Sequence, residues 1–299
     1  MKKCLVHYLL ALILLSACSS GDDGGTTSSE DDDPIEVDRS QNLLATGASA
    51  NDLLSNTNFD RILIEAAFVT GFRPTQQTMD NFIAYLRQHT FKENIDISFL
   101  ELPSPEEETL TLQQVAALET ENRTAYNNGT TLAVYIYFAD APSDTDEEDE
   151  GLVTLGAVYR NTSMVIFERT IRTLSGRSGL ITLTDVETAT LNHEFGHLFG
   201  LVNLGTIPVN DHEDTTIDED GNEVGNNHCN VDGCLMRAQL EFGGTARVFP
   251  MGKFEIQSAC SLSGMSLLNM LETRASRTAA VVPVLDDECV LDLQNNGGR

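Results

Sequence analysis

His193, Glu194 and His197 are the residues of this chain best placed to do chemistry together. On an α-helix, positions i and i+4 share a face, so the two imidazoles can hold one metal ion between them. Glu194 follows His193 directly and points near that ion without binding it, where its carboxylate can take a proton from water held at the metal. The remaining histidines strengthen the pattern, because four of six lie between His193 and His228, with His212 among them. The flanks suit a helix: Thr184 or Asp185 is positioned to cap its start, and Gly200 to end it.

The elements that must hold this helix are legible upstream. Residues 62–69 read as a strand closed by Gly71 and Pro74. Residues 75–89 carry Met79, Phe82, Ile83 and Leu86 at helical spacing. A second strand over 95–100, a second helix over 112–126 and a buried strand over 132–138 follow. Residues 152–159 and 164–167 then read as two short strands, paired as a hairpin about Asn161. Alternating strands and helices followed by further strands predict an α+β chain with an α/β-type mixed, twisted sheet and helices packed on it. Toward the C-terminus, residues 254–271 read as mixed helix and turn interrupted by Gly264. Residues 286–294 read as a short helix capped by Asp286 and stopped by Gly297.

Composition limits the function classes. The chain has 299 residues, 41% of them hydrophobic, enough for one domain, or at most two small ones, whose core needs no disulfides. Its 46 acidic residues against 18 basic ones give a formal charge of −28, which argues against nucleic acid or an anionic membrane surface as partners of a basic face. Much of the acid lies in residues 22–38, 144–150 and 211–223, read as solvated linkers or loops. Residues 218–223 offer oxygen ligands for calcium but lack EF-hand spacing, and a turn between two short strands accounts for them equally well.

The N-terminus carries an address. Met1-Lys2-Lys3, the apolar run Leu5 to Leu15 and Leu15-Ser16-Ala17-Cys18 make a secretory signal. The last four residues resemble a bacterial lipobox, which implies acylation of Cys18 and anchoring to the bacterial envelope, at the outer membrane on its periplasmic or cell-surface side. Residues 19–55 then read as a flexible acidic tether and residues 56–299 as the folded domain, with an upper part to about 200 and a lower part beyond. Once the signal is removed and Cys18 acylated, four cysteines remain, Cys229, Cys234, Cys260 and Cys289, with three possible pairings. Pairing Cys229 with Cys234, and Cys260 with Cys289, is the preferred scheme in an oxidising compartment.

His-Glu-Phe-Gly-His-Leu-Phe-Gly at 193–200, with Cys234-Leu235-Met236 later, resembles the metzincin clan of zinc peptidases. Residues 228–236 are similar to the His-Cys-x4-Cys-x-Met stretch of archaemetzincins, and a group of bacterial lipoprotein metalloproteases looks closer still. The resemblance implies a metzincin-like fold with a small C-terminal subdomain, one catalytic Zn2+, and a monomeric endopeptidase acting on peptide or protein substrates. It further implies Glu194 as the catalytic base, His193 and His197 as ligands, and Met236 as the floor of a turn beneath the metal. The strand over 152–159 resembles the clan's edge strand, which pairs with extended substrate.

Two departures stand out. Three residues after Gly200, where the clan places a His or Asp ligand, this chain has Asn203, and an amide is a poor zinc ligand. The third ligand must then come from His228, which matches the archaemetzincin stretch and is preferred, or from His212. The archaemetzincin second metal site uses a later Cys-x-x-Cys that this sequence lacks, which leaves Cys229 and Cys234 to bond to each other. Asn203 also keeps open an inactive, metzincin-like surface binding lipoprotein. A thermolysin-like peptidase needs a downstream Glu ligand, for which Glu255 and Glu272 are available without that class's usual surroundings. A metal-storage or sensing lipoprotein is the remaining reading.

Overall fold

Folding begins earlier than the acidic N-terminal stretch suggests. A 3-10 turn at Ser40–Leu43 and a short helix α1 (Ala50–Leu54) precede the sheet. Asn42 is buried, and its amide donates to Asn127 Oδ1 (3.0 Å), the Ala133 carbonyl (3.1 Å) and Thr162 Oγ1 (3.0 Å). Leu53 and Leu54 enter the main core. The tether expected over 19–55 is therefore corrected: its last part is folded, because buried side chains interrupt its polar run. The computed structural model describes residues 38–146, 153–217, 221–237, 264–277 and 281–299. The leader with Cys18, and Cys260 and Glu255, lie outside them.

Strand β1 (Arg61–Val69) shows how the sheet is layered. Ile62, Ile64, Ala66 and Phe68 feed one apolar layer, while Ala67 and Val69 feed the other, as a two-residue repeat requires. Helix α2 (Gln76–His89) leads to β2 (Asn94–Leu102), and helix α3 (Leu112–Asn122) leads to β3 (Thr131–Phe138). All three strands run parallel, with Ile62 between Ile95 and Leu132. The order β2-β1-β3 reverses direction after β2, so crossovers of one hand put α2 and α3 on opposite faces. Met79, Phe82 and Leu86 of α2 accordingly join the Ile62 layer, and Val115 and Ala116 of α3 the other. Helix α3 ends at Asn122, four residues before the expected limit. There Arg123 leaves the helix and buries its guanidinium against Glu119 Oε1 (2.7 Å) and the Ala133 carbonyl (2.8 Å).

The sheet is completed by a hairpin. Strand β4 (Gly156–Arg160) runs antiparallel to β5 (Ser163–Ile166), and β5 is parallel to β3. The full order β2-β1-β3-β5-β4 makes a mixed α/β fold with a mainly parallel sheet, and β4 is its terminal strand. Helix α4 (Glu168–Ser175), which the sequence reading did not resolve, then turns the chain toward α5 (Leu183–Leu198).

Beyond α5 the chain forms a two-stranded hairpin, β6 (Glu213–Ile217) with β7 (Glu223–Cys229), followed by helices α6 (Gly264–Ser276) and α7 (Asp287–Asn295). The hairpin flanks the turn considered for calcium, of which residues 218–220 lie outside the described residues. Leu268 and Leu271 of α6 and Leu293 of α7 pack into the same core as Ile62. Residues 37–299 consequently form one compact unit, and position 200 does not divide it into separate bodies. Among the described residues, no helix is long and apolar enough to cross a membrane.

Candidate metal centre

Helix α5 carries the His-x-x-x-His pair and is fixed at three points. At its start Thr182, not Thr184, is the cap: its hydroxyl accepts from Asp185 N (3.2 Å), and Asp185 Oδ2 accepts from Thr182 N (2.8 Å). Such a reciprocal cap contributes about 1 kcal/mol. Mid-helix, the buried Glu187 carboxylate accepts from Thr75 Oγ1 (2.9 Å) and from the Thr78 hydroxyl, tying α5 to the start of α2. Burial and the neighbouring Glu187 push the Glu168 carboxyl up to about 9, so these two acids need not both carry charge. Phe195 packs edge-on against Phe82 at 5.1 Å, and Gly200 then turns the chain with φ +74°.

His193, His197 and His228 converge beneath this helix. All three are buried, and one ring nitrogen from each lies within 4.8 Å of the others. His193 Nε2 and His197 Nε2 are 3.2 Å apart. Two ligands at ~2.05 Å from a tetrahedral zinc are ~3.3 Å apart, so this spacing is that of one edge of a coordination tetrahedron. The protonation pattern agrees. His193 Nδ1–H donates to the Leu235 carbonyl (2.7 Å), and His228 Nδ1–H donates to the Asn226 carbonyl (2.7 Å). A carbonyl only accepts, so each bond fixes the proton on Nδ1 and leaves Nε2 with its lone pair toward the cluster. Burial lowers His193 to about 4 and His228 to about 3, and drives His197 well below the usual imidazole value, which keeps all three neutral as metal ligands must be. The donor set therefore fits zinc.

The other expected site residues divide clearly. Glu194 is fully buried and lies against Gly156 of β4: a Cβ at position 156 would sit 2.6 Å from Glu194 Cγ and 3.0 Å from Oε1. Met236 is buried, and a Cβ at Gly196 would overlap its sulfur, so it packs directly under α5. Asn203 is exposed and donates to Glu213 Oε2 (2.9 Å), apart from the imidazoles. His212 lies in a different cluster. Glu272 accepts from the Ser178 hydroxyl (2.5 Å) and is not part of the histidine group, which removes the thermolysin-like arrangement for that residue.

The disulfide scheme is corrected. Cys229, Cys234 and Cys289 are all free thiols, and all are buried. Cys234 Sγ lies 3.6 Å from Cys289 Sγ, because α7 packs against the loop after β7, and the expected partner Cys260 lies outside the described residues.

Sequence reasoning missed Gly156. Its only sequence signal was a glycine at the mouth of a strand otherwise rich in apolar residues, a mark of close approach. Gly156→Ala should push the Glu194 carboxylate aside, leave metal content unchanged and lower hydrolytic turnover by about ten- to a hundredfold. Steady-state kinetics beside zinc analysis of the same preparation checks this, and unchanged kinetics would show that the contact is slack. Beside His193, Ala189, Leu235, Arg237, Leu267 and Met270 enclose a small crevice of about 10 Å³, room for one water. Its α6 residues follow a stretch with no readable pattern.

No family model matches the chain, and no curated protein matches it. Among solved structures, it is similar to archaemetzincin from Methanopyrus kandleri, at 13% identity and a TM-score of 0.42, covering 79% of this chain and 96% of the other.

Proposed function

We propose that this protein is a zinc-dependent endopeptidase, held at the bacterial envelope through an acylated Cys18. The convergence of three buried, neutral imidazoles beside the buried carboxylate of Glu194 carries the reading. His193, His197 and His228 would hold the ion, which when bound would supply Lewis acidity to a scissile carbonyl and to water. Glu194 accepts the proton of the attacking water and passes it to the leaving amine nitrogen. Gly156 leaves room for that carboxylate, and burial excludes competing solvent. The terminal strand β4 offers a backbone edge to an extended peptide. Met236 supports α5 and takes no chemical part.

Asn203 loses its weight as a sign of decay in this reading, since His228 supplies the third imidazole. Removal of metal with phenanthroline should abolish cleavage of a fluorescent casein, and stoichiometric Zn2+ should restore it. Cleavage that persists in chelator overturns the proposal. A protein that binds zinc at the histidines yet cleaves nothing overturns it in favour of a binding lipoprotein.

A further inference from the structure

The hairpin that carries His228 is irregular where His228 leaves it. In the β6–β7 ladder Thr215 faces Gly225 and Glu213 faces Cys229, so between these pairs one residue of β6 stands against three of β7. The surplus makes a bulge over Asn226, Asn227 and His228, and a bulge re-aims the side chains within it. Asn227 takes the left-handed conformation (φ +60°), which a short polar side chain tolerates better than most. Within the bulge His228 N donates to Asn226 Oδ1 (3.1 Å) and His228 Nδ1–H to the Asn226 carbonyl (2.7 Å). His228 is thereby swung toward α5 and buried, its ring centroid 5.4 Å from that of His193 and 5.2 Å from that of His197.

Glu213 closes the bulge from the opposite strand. Its Oε1 accepts from Asn227 N (2.7 Å) and its Oε2 from the Asn203 amide (2.9 Å). The carboxylate passes over Gly225 on the way, and a Cβ at that position would overlap it. Gly225 has no positive φ, so the space it leaves, and not a turn, is what its missing side chain provides. A backbone N–H displaced by a bulge needs a new acceptor, and a carboxylate is a stronger one than a carbonyl.

We propose that Glu213 is a positioning residue for the metal centre, its carboxylate holding the bulge that aims His228 at the ion. This rests on His228 being a ligand, as read above. Glu213 is not part of the histidine group and acts only through Asn227. With the bond in place the bulge is set before metal arrives. Without it, residues 226–228 regain backbone freedom that binding must then remove, and the loss falls on metal affinity. The bond to Asn203 lies at the surface, where water replaces it at little cost, so the bond to Asn227 is the one that matters.

Zinc titrated into stripped full-length protein against a competing chelator, and followed by the imidazole nitrogen-15 resonances of His193 and His197, reads the affinity of this site. Glu213→Ala should weaken zinc ~10–100-fold, as loss of an outer partner does. Glu213→Gln keeps a carbonyl oxygen for the Asn227 N–H and should stay within about fivefold of the wild type. Gly225→Ala leaves the carboxylate present but displaced, and should match Glu213→Ala. Combining Glu213→Ala with Gly225→Ala should cost no more than either alone, since both remove one bond. Wild-type affinity in Glu213→Ala overturns the inference and leaves the three-histidine site standing. A Glu213→Gln protein as weak as Glu213→Ala also overturns it, because charge and not the bond would then be acting. Wild-type protein whose His193 and His197 resonances ignore zinc removes this inference together with the reading beneath it. Should Glu213→Ala fail to fold, the contrast between Gly225→Ala and Glu213→Gln decides: equal affinities overturn the inference.

Discussion

Glu194→Gln is expected to retain the fold and full metal content while hydrolysis falls on the order of a thousandfold. The amide has nearly the same shape as the carboxylate, so the contact with Gly156 and the burial beneath α5 persist. What is lost is the ability to accept a proton, and among the described residues the histidine group contains no carboxylate to replace it. Glu187, two helical turns earlier on α5, is engaged by Thr75 and Thr78. Turnover of a peptide library, with zinc measured on the same sample, separates the outcomes. Parental turnover in the variant would remove Glu194 from the mechanism. Loss of zinc would instead make it a determinant of the site's integrity.

The sequence made half of the site legible because helical geometry is local. A four-residue spacing puts His193 and His197 on one face whatever the rest of the chain does, and Glu194 follows with them. The third imidazole is a tertiary fact. His228 reaches α5 only because β6 and β7 pair and the second strand ends against Met236, and no periodicity reports that. The thiols failed for the same reason. Cys229 and Cys234 are close in sequence, but the packing of α7 brings Cys289 within 3.6 Å of Cys234, and spacing along the chain is blind to it. Strands β1 and β3 were readable because both faces are buried, which makes each a near-continuous apolar run, while helix α4 was hidden in a polar eight-residue stretch. Thr182 was overlooked as the cap since Thr184 and Asp185 are also good caps. Only the reciprocal bonds with Asp185 distinguish them. Asn42 was read as part of a solvated run, because a polar residue that will be buried with three partners is indistinguishable from one that will not.

His228→Ala is expected to reduce hydrolysis to background, with zinc affinity at the histidine site weakened beyond the ~10–100-fold that loss of an outer partner costs. Two imidazoles on one helical face still attract zinc, but they leave two positions open and no longer fix the ion beside Glu194. Asn203→Ala supplies the contrast. Position 203 is where the metzincin resemblance leads one to look for a ligand, yet its amide reaches out to Glu213 at the surface, so the substitution should leave activity within about twofold, as exposed changes generally do. Isothermal titration of zinc into stripped protein, beside casein cleavage, gives both readings. If the two variants behaved alike, the metal would not be held by His228. If only Asn203→Ala failed, the segment after Gly200 would have to reach the ion in the working enzyme.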